Sequence, residues 1–175
     1  MIEDKVILVD VNDNQIGLMP KLEAHEKGVL HRAFSVFIFN NNGELMLQKR
    51  AFTKYHSPGL WTNTCCSHQR EGESNIYSAK RRLSEEMGFV TELQEKTSFI
   101  YKARFDNGLT EHELDHIIVG NYNKSPIINS FEVDTWKWMS MEDIRTNIND
   151  QPHNYTAWFK IIFRRFYNHT KSIKH

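Results

Sequence analysis

Cysteine is scarce in this 175-residue chain: there are two, and they are neighbours, Cys65 and Cys66. Adjacent cysteines rarely bridge one another and no third thiol exists, so a disulfide framework is excluded and a reducing, cytoplasmic setting is expected. Long apolar runs are missing too. The longest, around Ala33 to Phe39, is interrupted by Ser35, whereas a membrane span needs ~20 apolar residues. The N-terminal Met1-Ile2-Glu3-Asp4-Lys5 carries acids with no apolar follow-on, unlike a secretory leader. Net charge is absent, because 22 basic and 22 acidic side chains balance. No global field therefore advertises nucleic acid or an anionic membrane as a partner. No glycine-rich dinucleotide fingerprint appears, which argues against a flavin. Without repeat, low-complexity tract or linker, the expectation is one domain over residues 1–175 with a full core. A core of about 29–165 follows a short N-terminal extension, and the polar tail Thr170 to His175 is expected to fray.

What is present alternates between strand and helix patterns. Lys5 to Val11 reads as a strand ended by Asn12-Asp13-Asn14. Ala33 to Phe39 and Leu45 to Arg50 flank an Asn-Gly loop, the strongest hairpin signal in the chain. Leu60 to Cys66 reads as extended after the turn at Pro58-Gly59. Ile76, Ala79, Leu83 and Met87 fall at helical spacing, with Ser74 or Asn75 as cap and Gly88 as stop. Thr97 to Phe105 and Glu113 to Tyr122 form a second strand pair around Asp106-Asn107-Gly108. A strand over Val133 to Met139, a short helix capped by Ser140 and a final amphipathic helix from about Thr156 to Tyr167 complete the reading. This order predicts an α+β domain, layered α/β/α, with a central mixed sheet flanked by helices.

The predicted helix before Gly88 carries Glu73, Arg81, Leu83, Glu85, Glu86 and Gly88 at a spacing that resembles the Nudix signature. Two positions depart: Ser67 stands for the first glycine and Arg82 for the glutamate after the arginine. Nudix hydrolases cluster helix carboxylates so that divalent ions bridge a diphosphate and activate water. Exchanging one such carboxylate for a cation removes two units of negative charge from that cluster. Arg82 can pair with Glu86 four residues on.

Other chemistry lies off the helix. Strand alternation sends Glu111, Glu113 and Asp115 to one face and His112, Leu114 and His116 to the other. Two carboxylates two apart on one strand face are natural co-ligands for a cation, although alternating acids also occur on plain surface strands. His25 and His31, taken singly, read more readily as surface or hydrogen-bonded histidines than as ligands.

Together these positions resemble the type I isopentenyl diphosphate isomerase family, which is built on the Nudix fold. The resemblance spans nearly the whole chain and rests on Ala24-His25, Leu30-His31-Arg-Ala-Phe34, Gln48-Lys-Arg50-Ala51, Pro58-Gly-Leu-Trp61-Thr-Asn63, Cys66-Ser-His68, Gly72-Glu73-Ser74, Glu85-Glu86-Met-Gly88 and Glu111-His-Glu113. The family commonly has glycine where Ser67 stands. The resemblance implies that His25, His31, His68, Glu111 and Glu113 surround one divalent ion. Three imidazoles with two carboxylates suit Mn²⁺ or Zn²⁺ more than Mg²⁺. Glu86 is implied to hold a second ion, Mg²⁺, shared with the substrate diphosphate, and Lys21, Arg50, Lys54 and Arg82 to contact that diphosphate.

The implied reaction is conversion of isopentenyl diphosphate to dimethylallyl diphosphate. An isolated alkene has no acidic hydrogen, so a proton must add first to give a tertiary carbocation, and a second must leave from the other side. The resemblance assigns Cys66 to one face and Glu113, aided by Tyr101, to the other. Glu113 is expected to deliver the proton and Cys66, as thiolate, to take one. Trp158 is implied as the aromatic over the cation, a contact worth ~2 kcal/mol or more when desolvated. Trp61 is a second candidate whose plainer reading is core packing. The expected partner is that small molecule alone, with the chain a monomer or weak homodimer. The rival readings are a Nudix pyrophosphohydrolase and a noncatalytic metal-binding module on the same fold.

Overall fold

A computed structural model describes residues 4–173. Its frame is a nine-stranded mixed sheet curled around β3, His31–Phe39, whose apolar, β-branched and aromatic run suits a strand buried on both faces. Along its whole length β3 runs parallel to β8, Thr110–Asn121, which pairs antiparallel with β7, Leu93–Arg104. On the other side β3 meets β6, Cys65–Ser67, and touches β1, Lys5–Val9, through a single pair. A second group joins β4, Glu44–Arg50, to β9, Val133–Ser140, and to β5, Trp61–Thr62.

Helices cover both faces, giving the layered α+β arrangement expected. On one face α2, Asn75–Met87, buries Ala79, Leu83 and Met87 against Phe34, Val36, Ile38 and Met46. On the other, α3, Met141–Asp150, and α4, Ala157–Ile173, pack Ile144, Phe159 and Ile162 against Phe37, Leu45 and Ile117. The caps are those read from sequence. Ser74 Oγ accepts from the Tyr77 N–H at 3.2 Å, and Ser140 Oγ from the Asp143 N–H at 3.1 Å. Gly88 ends α2 in the left-handed region at φ 72°, where a Cβ would meet the Ile127 carbonyl oxygen at 2.2 Å. Among the described residues no helix is long and apolar enough to cross a membrane.

Three sequence expectations need correction. The Asn-Gly turn exists, but β3 and β4 do not form an extended hairpin, since only Phe39 and Leu45 pair. Thr64 wedges between them: its Oγ1 accepts from the Ile38 N–H at 3.0 Å and donates to the Met46 carbonyl at 2.6 Å. The extended Leu60 to Cys66 run is broken there into β5 and β6, one pairing with each side. Second, β2, Gln15–Pro20, and α1, Lys21–Lys27, were not anticipated. A strand containing glycine and ending in proline has weak propensity, and the seven-residue α1 has no side-chain cap. Third, α4 continues six residues past the expected end at Tyr167, to Ile173; residues 174–175 lie outside those described.

Candidate active site

The curl of the sheet brings the implied residues to one pocket. Backbone register sets His31 beside Glu113, Ser35 beside Cys66, and Tyr101 beside Glu113. Paired residues share a sheet face, so three strands point chemistry the same way. The short α1 adds Lys21 and His25, and α4 adds Trp158. Where β3 and β4 part, Glu86 reaches in from α2 and Gln48 from β4. The cavity holds about 80 Å³, several times the ~10–15 Å³ one water requires.

Four groups converge as potential metal ligands: His25, His31, His68 and Glu113 each offer one atom, all within 4.8 Å of one another. The ring centroids of the three imidazoles are 4.9 to 5.7 Å apart. His25 Nδ1 lies 2.6 Å from the Lys21 carbonyl and His31 Nδ1 2.8 Å from the Val29 carbonyl. Each Nδ1–H donated to a carbonyl leaves Nε2 with its lone pair, the second sphere that orients a ligating histidine. His31 Nε2 is buried without a hydrogen-bond partner, which is unfavourable unless something else meets it. Burial drives His68 down to about 3, against the opposing pull of Glu113, and burial also lowers His25. Neutral imidazoles beside a carboxylate fit a divalent cation.

Glu113 uses its two oxygens differently. Oε1 is 3.0 Å from His68 Nε2 and 3.5 Å from His31 Nε2, whereas Oε2 is 2.6 Å from the Tyr101 hydroxyl. Burial alone would raise its pKa, but the His31 and His68 imidazoles beside it hold it well below the usual carboxylate range. Glu111 stands outside the four-ligand cluster, with Oε2 2.8 Å from Tyr101 Oη. Burial, then the Glu113 charge, pushes Glu111 up to about 8. The Tyr101 hydroxyl thus stands between the two carboxyls, and its single proton serves one of them at a time.

Cys66 faces the same cavity. Its Sγ accepts from the Trp158 indole N–H at 3.3 Å and lies 3.5 Å from Asn63 Oδ1. Burial, then the charge of Glu86, pushes the thiol up to about 12, so the resting sulfur carries its proton. Cys65 points to the opposite face, into the α2 core. Trp158 is 4 % exposed and lines the pocket, with the Arg50 guanidinium 5.1 Å from its ring. Trp61 does not line it; Lys137 Nζ sits 4.1 Å over that ring, and the packing reading holds.

The four implied anion contacts, Lys21, Arg50, Lys54 and Arg82, all line the pocket. They are not equivalent. Arg82 is engaged by Glu85 at 2.7 Å, by Glu86, and by Glu132 Oε1 at 3.6 Å, while Lys54 pairs with Glu132 Oε2. Glu86 is held through one oxygen by Arg82 and through the other by Gln48 Nε2 at 2.8 Å. Glu73 turns out to be structural: it forks onto Arg81 at 2.8 and 2.9 Å and caps the preceding turn through the Arg70 N–H. Ser67 lies in extended β6 without a positive φ, so its replacement of glycine costs nothing there.

Sequence reading missed Ser35, Gln48, His56, Glu132 and Asp115. Asp115 was already aligned with Glu111 and Glu113 by strand alternation. It is fully buried and accepts from Ser35 Oγ at 2.9 Å. Gln48 lies two residues before Arg50 in a quoted motif, and that spacing was its signal. No pattern marked His56 or Glu132.

Comparison with known proteins identifies the fold and the family. The NUDIX domain family matches residues 29–159. A solved Deinococcus radiodurans protein superposes with a TM-score of 0.77 at 16% identity, over 93% of this chain and 98% of its own. A MutT protein from Methanosarcina mazei gives 0.64 at 17%, over 81% and 96%. At those identities the likeness speaks for the fold alone. Sequence relatives are much nearer. A Photorhabdus laumondii protein named isopentenyl-diphosphate Delta-isomerase 2 is 52% identical over 91% of this chain and 90% of its own length. A Serratia proteamaculans isopentenyl-diphosphate Delta-isomerase is 48% identical over 93% and 90%. Within the NUDIX superfamily, this chain belongs to the isopentenyl-diphosphate Delta-isomerase family.

Proposed function

We propose that this enzyme moves the double bond of isopentenyl diphosphate to give dimethylallyl diphosphate, with Cys66 and Glu113 as its two proton-handling groups. The observation that carries the reading is one pocket lined by the Cys66 sulfur, the Glu113 carboxyl and Trp158, with Lys21, Arg50, Lys54 and Arg82 at the same cavity. The Cys66 S–H adds its proton to the terminal methylene as the π electrons form that C–H bond, which leaves a tertiary cation. A proton then leaves the neighbouring methylene on the other face to Glu113, and its C–H electron pair becomes the new double bond. This order reverses the sequence expectation, in which Glu113 donated, and rests on the Cys66 thiol that burial pushes up to about 12. Tyr101 steadies the Glu113 oxygen that faces away from the histidines. The Trp158 ring stabilises the cation without offering a lone pair for capture.

His25, His31, His68 and Glu113, with Glu111 beside them, would hold a divalent ion of the Mn²⁺ or Zn²⁺ type, whose charge fixes the carboxylate as a base. Glu86 would share Mg²⁺ with the diphosphate, and its present partners Arg82 and Gln48 would then turn toward phosphate oxygens. We place the enzyme in the cytoplasm, where two unbridged cysteines are at home, and read it as a monomer or weak homodimer acting without nucleic acid or membrane. Nucleotide hydrolysis is disfavoured because Arg82 replaces a ligating acid. Proton NMR of isopentenyl diphosphate in heavy water tests the assignment. Allylic exchange and mass-preserving conversion are expected, both lost in Cys66→Ala. Phosphate release from a nucleoside diphosphate conjugate, or full turnover by Cys66→Ala, would refute it.

A further inference from the structure

His56 lines the pocket, and neither the motifs nor the reaction above provides a role for it. It comes from the loop between β4 and β5, which bends at Ser57 (φ 48°) and Gly59 (φ 69°) and also delivers Lys54 and Tyr55 to the cavity. Its Nδ1 is buried and has no hydrogen-bond partner. A buried polar nitrogen left unpaired is costly, and in a pocket lining it marks a place where a bound group completes the bond. The nitrogen is not alone: Arg50 Nε, from the last residue of β4, is likewise buried and unpaired.

The position of the ring says which atom it serves. On one side His56 meets the apolar half of the pocket, 5.6 Å and edge-on to Trp158 and 6.1 Å from the Phe105 ring, stacked at 20°. On the other side its backbone carbonyl accepts from Arg50 Nη2 at 3.3 Å, and that guanidinium lies 5.1 Å from the Trp158 ring. His56 therefore stands at the seam where the aromatic and cationic groups of the pocket meet. Burial, then the charges of Arg50, Lys21 and other neighbouring cations, drives its pKa down to about 3, so it works as a neutral imidazole able to donate from one nitrogen.

We infer that His56 contacts the substrate directly, donating from Nδ1–H to the oxygen that joins the diphosphate to the hydrocarbon. The inference rests on the proposed reading of the site and extends it. That oxygen sits at the seam, where terminal phosphate oxygens and carbon atoms do not. A neutral donor suits it, since an imidazolium there would stand among cations and beside the carbocation.

The test compares His56→Phe, which keeps a ring and removes the donor, with His56→Asn, whose amide nitrogen reproduces Nδ1, and His56→Gln, whose amide reaches the place of Nε2. For isopentenyl diphosphate, His56→Phe is expected to raise KM about tenfold with kcat little changed. His56→Asn should restore most of the affinity and His56→Gln should not. A competitive analogue with methylene in place of the ester oxygen should bind the native enzyme about tenfold more weakly than the oxygen-containing diphosphate, and His56→Phe should no longer distinguish the two. An unchanged KM in His56→Phe, equal behaviour of the Asn and Gln variants, or undiminished discrimination in His56→Phe would each overturn the contact. Absence of conversion by the native enzyme would instead refute the reading of the site, and the contact with it.

Discussion

The Trp158 indole N–H donates to the Cys66 sulfur at 3.3 Å, joining residues 92 apart in sequence. In the proposed reaction this one side chain would offer its edge to the acid and its face to the developing charge. The two contributions are separable. Trp158→Phe keeps a π face and loses the N–H, so steady-state kcat should fall by about tenfold or less. Trp158→Ala loses both and opens the pocket to water, and a fall of about a hundredfold is expected. Equal losses in the two variants would mean that the ring face contributes nothing.

Metal removal should act on folding as well as on turnover. His25, His31 and His68 crowd Glu113 in a buried cluster, and a cation bound there stabilises the folded state by about 2.7 kcal/mol at a hundred times its dissociation constant. Dialysis against a chelator should lower the thermal midpoint and abolish isomerisation, and added Mn²⁺ or Zn²⁺ should restore both. In His31→Ala, elemental analysis should find less than one equivalent of transition metal. Full occupancy in that variant would remove His31 from the ligand set.

Glu73 gives a pH signature that is independent of the pocket. Burial would raise its pKa, but the Arg81 fork, the Arg70 N–H and the Ser78 hydroxyl together lower it from 4.5 to about 2. A carboxyl depressed on folding contributes stability that is present in full above its unfolded value and lost as pH falls toward the folded one. Urea melts of the native protein should weaken between about pH 4.5 and about pH 2 more steeply than those of Glu73→Gln. Parallel profiles would show that the Arg81 fork adds nothing to folding.

Gly88→Ala tests the end of α2. The residue adopts φ 72°, and a Cβ would meet the Ile127 carbonyl oxygen at 2.2 Å, a main-chain atom that no side-chain rotation relieves. Denaturant melts should show a loss of about 2 kcal/mol or more. Glu86, two residues upstream, should shift with the helix end and lower activity as well. A variant as stable as the native protein would mean that the 123–132 loop yields freely.

Local chemistry in the chain was sufficient for much of this protein. The periodicity of Ala79, Leu83 and Met87, the caps at Ser74 and Ser140 and the stop at Gly88 are short-range effects that sequence spacing encodes directly. Alternation along residues 111–115 likewise placed Glu111, Glu113 and Asp115 on one face. Tertiary structure decided what depends on distant partners. Thr64 parts β3 from β4 only because the chain returns between them. The thiol of Cys66 keeps its proton because remote elements bury it near Glu86. His56 becomes an unpaired donor only once its loop closes against Trp158. Propensity and spacing act over a few residues, whereas desolvation and pairing across a folded pocket are set by contacts far apart in sequence, and the protonation state of this site is set there.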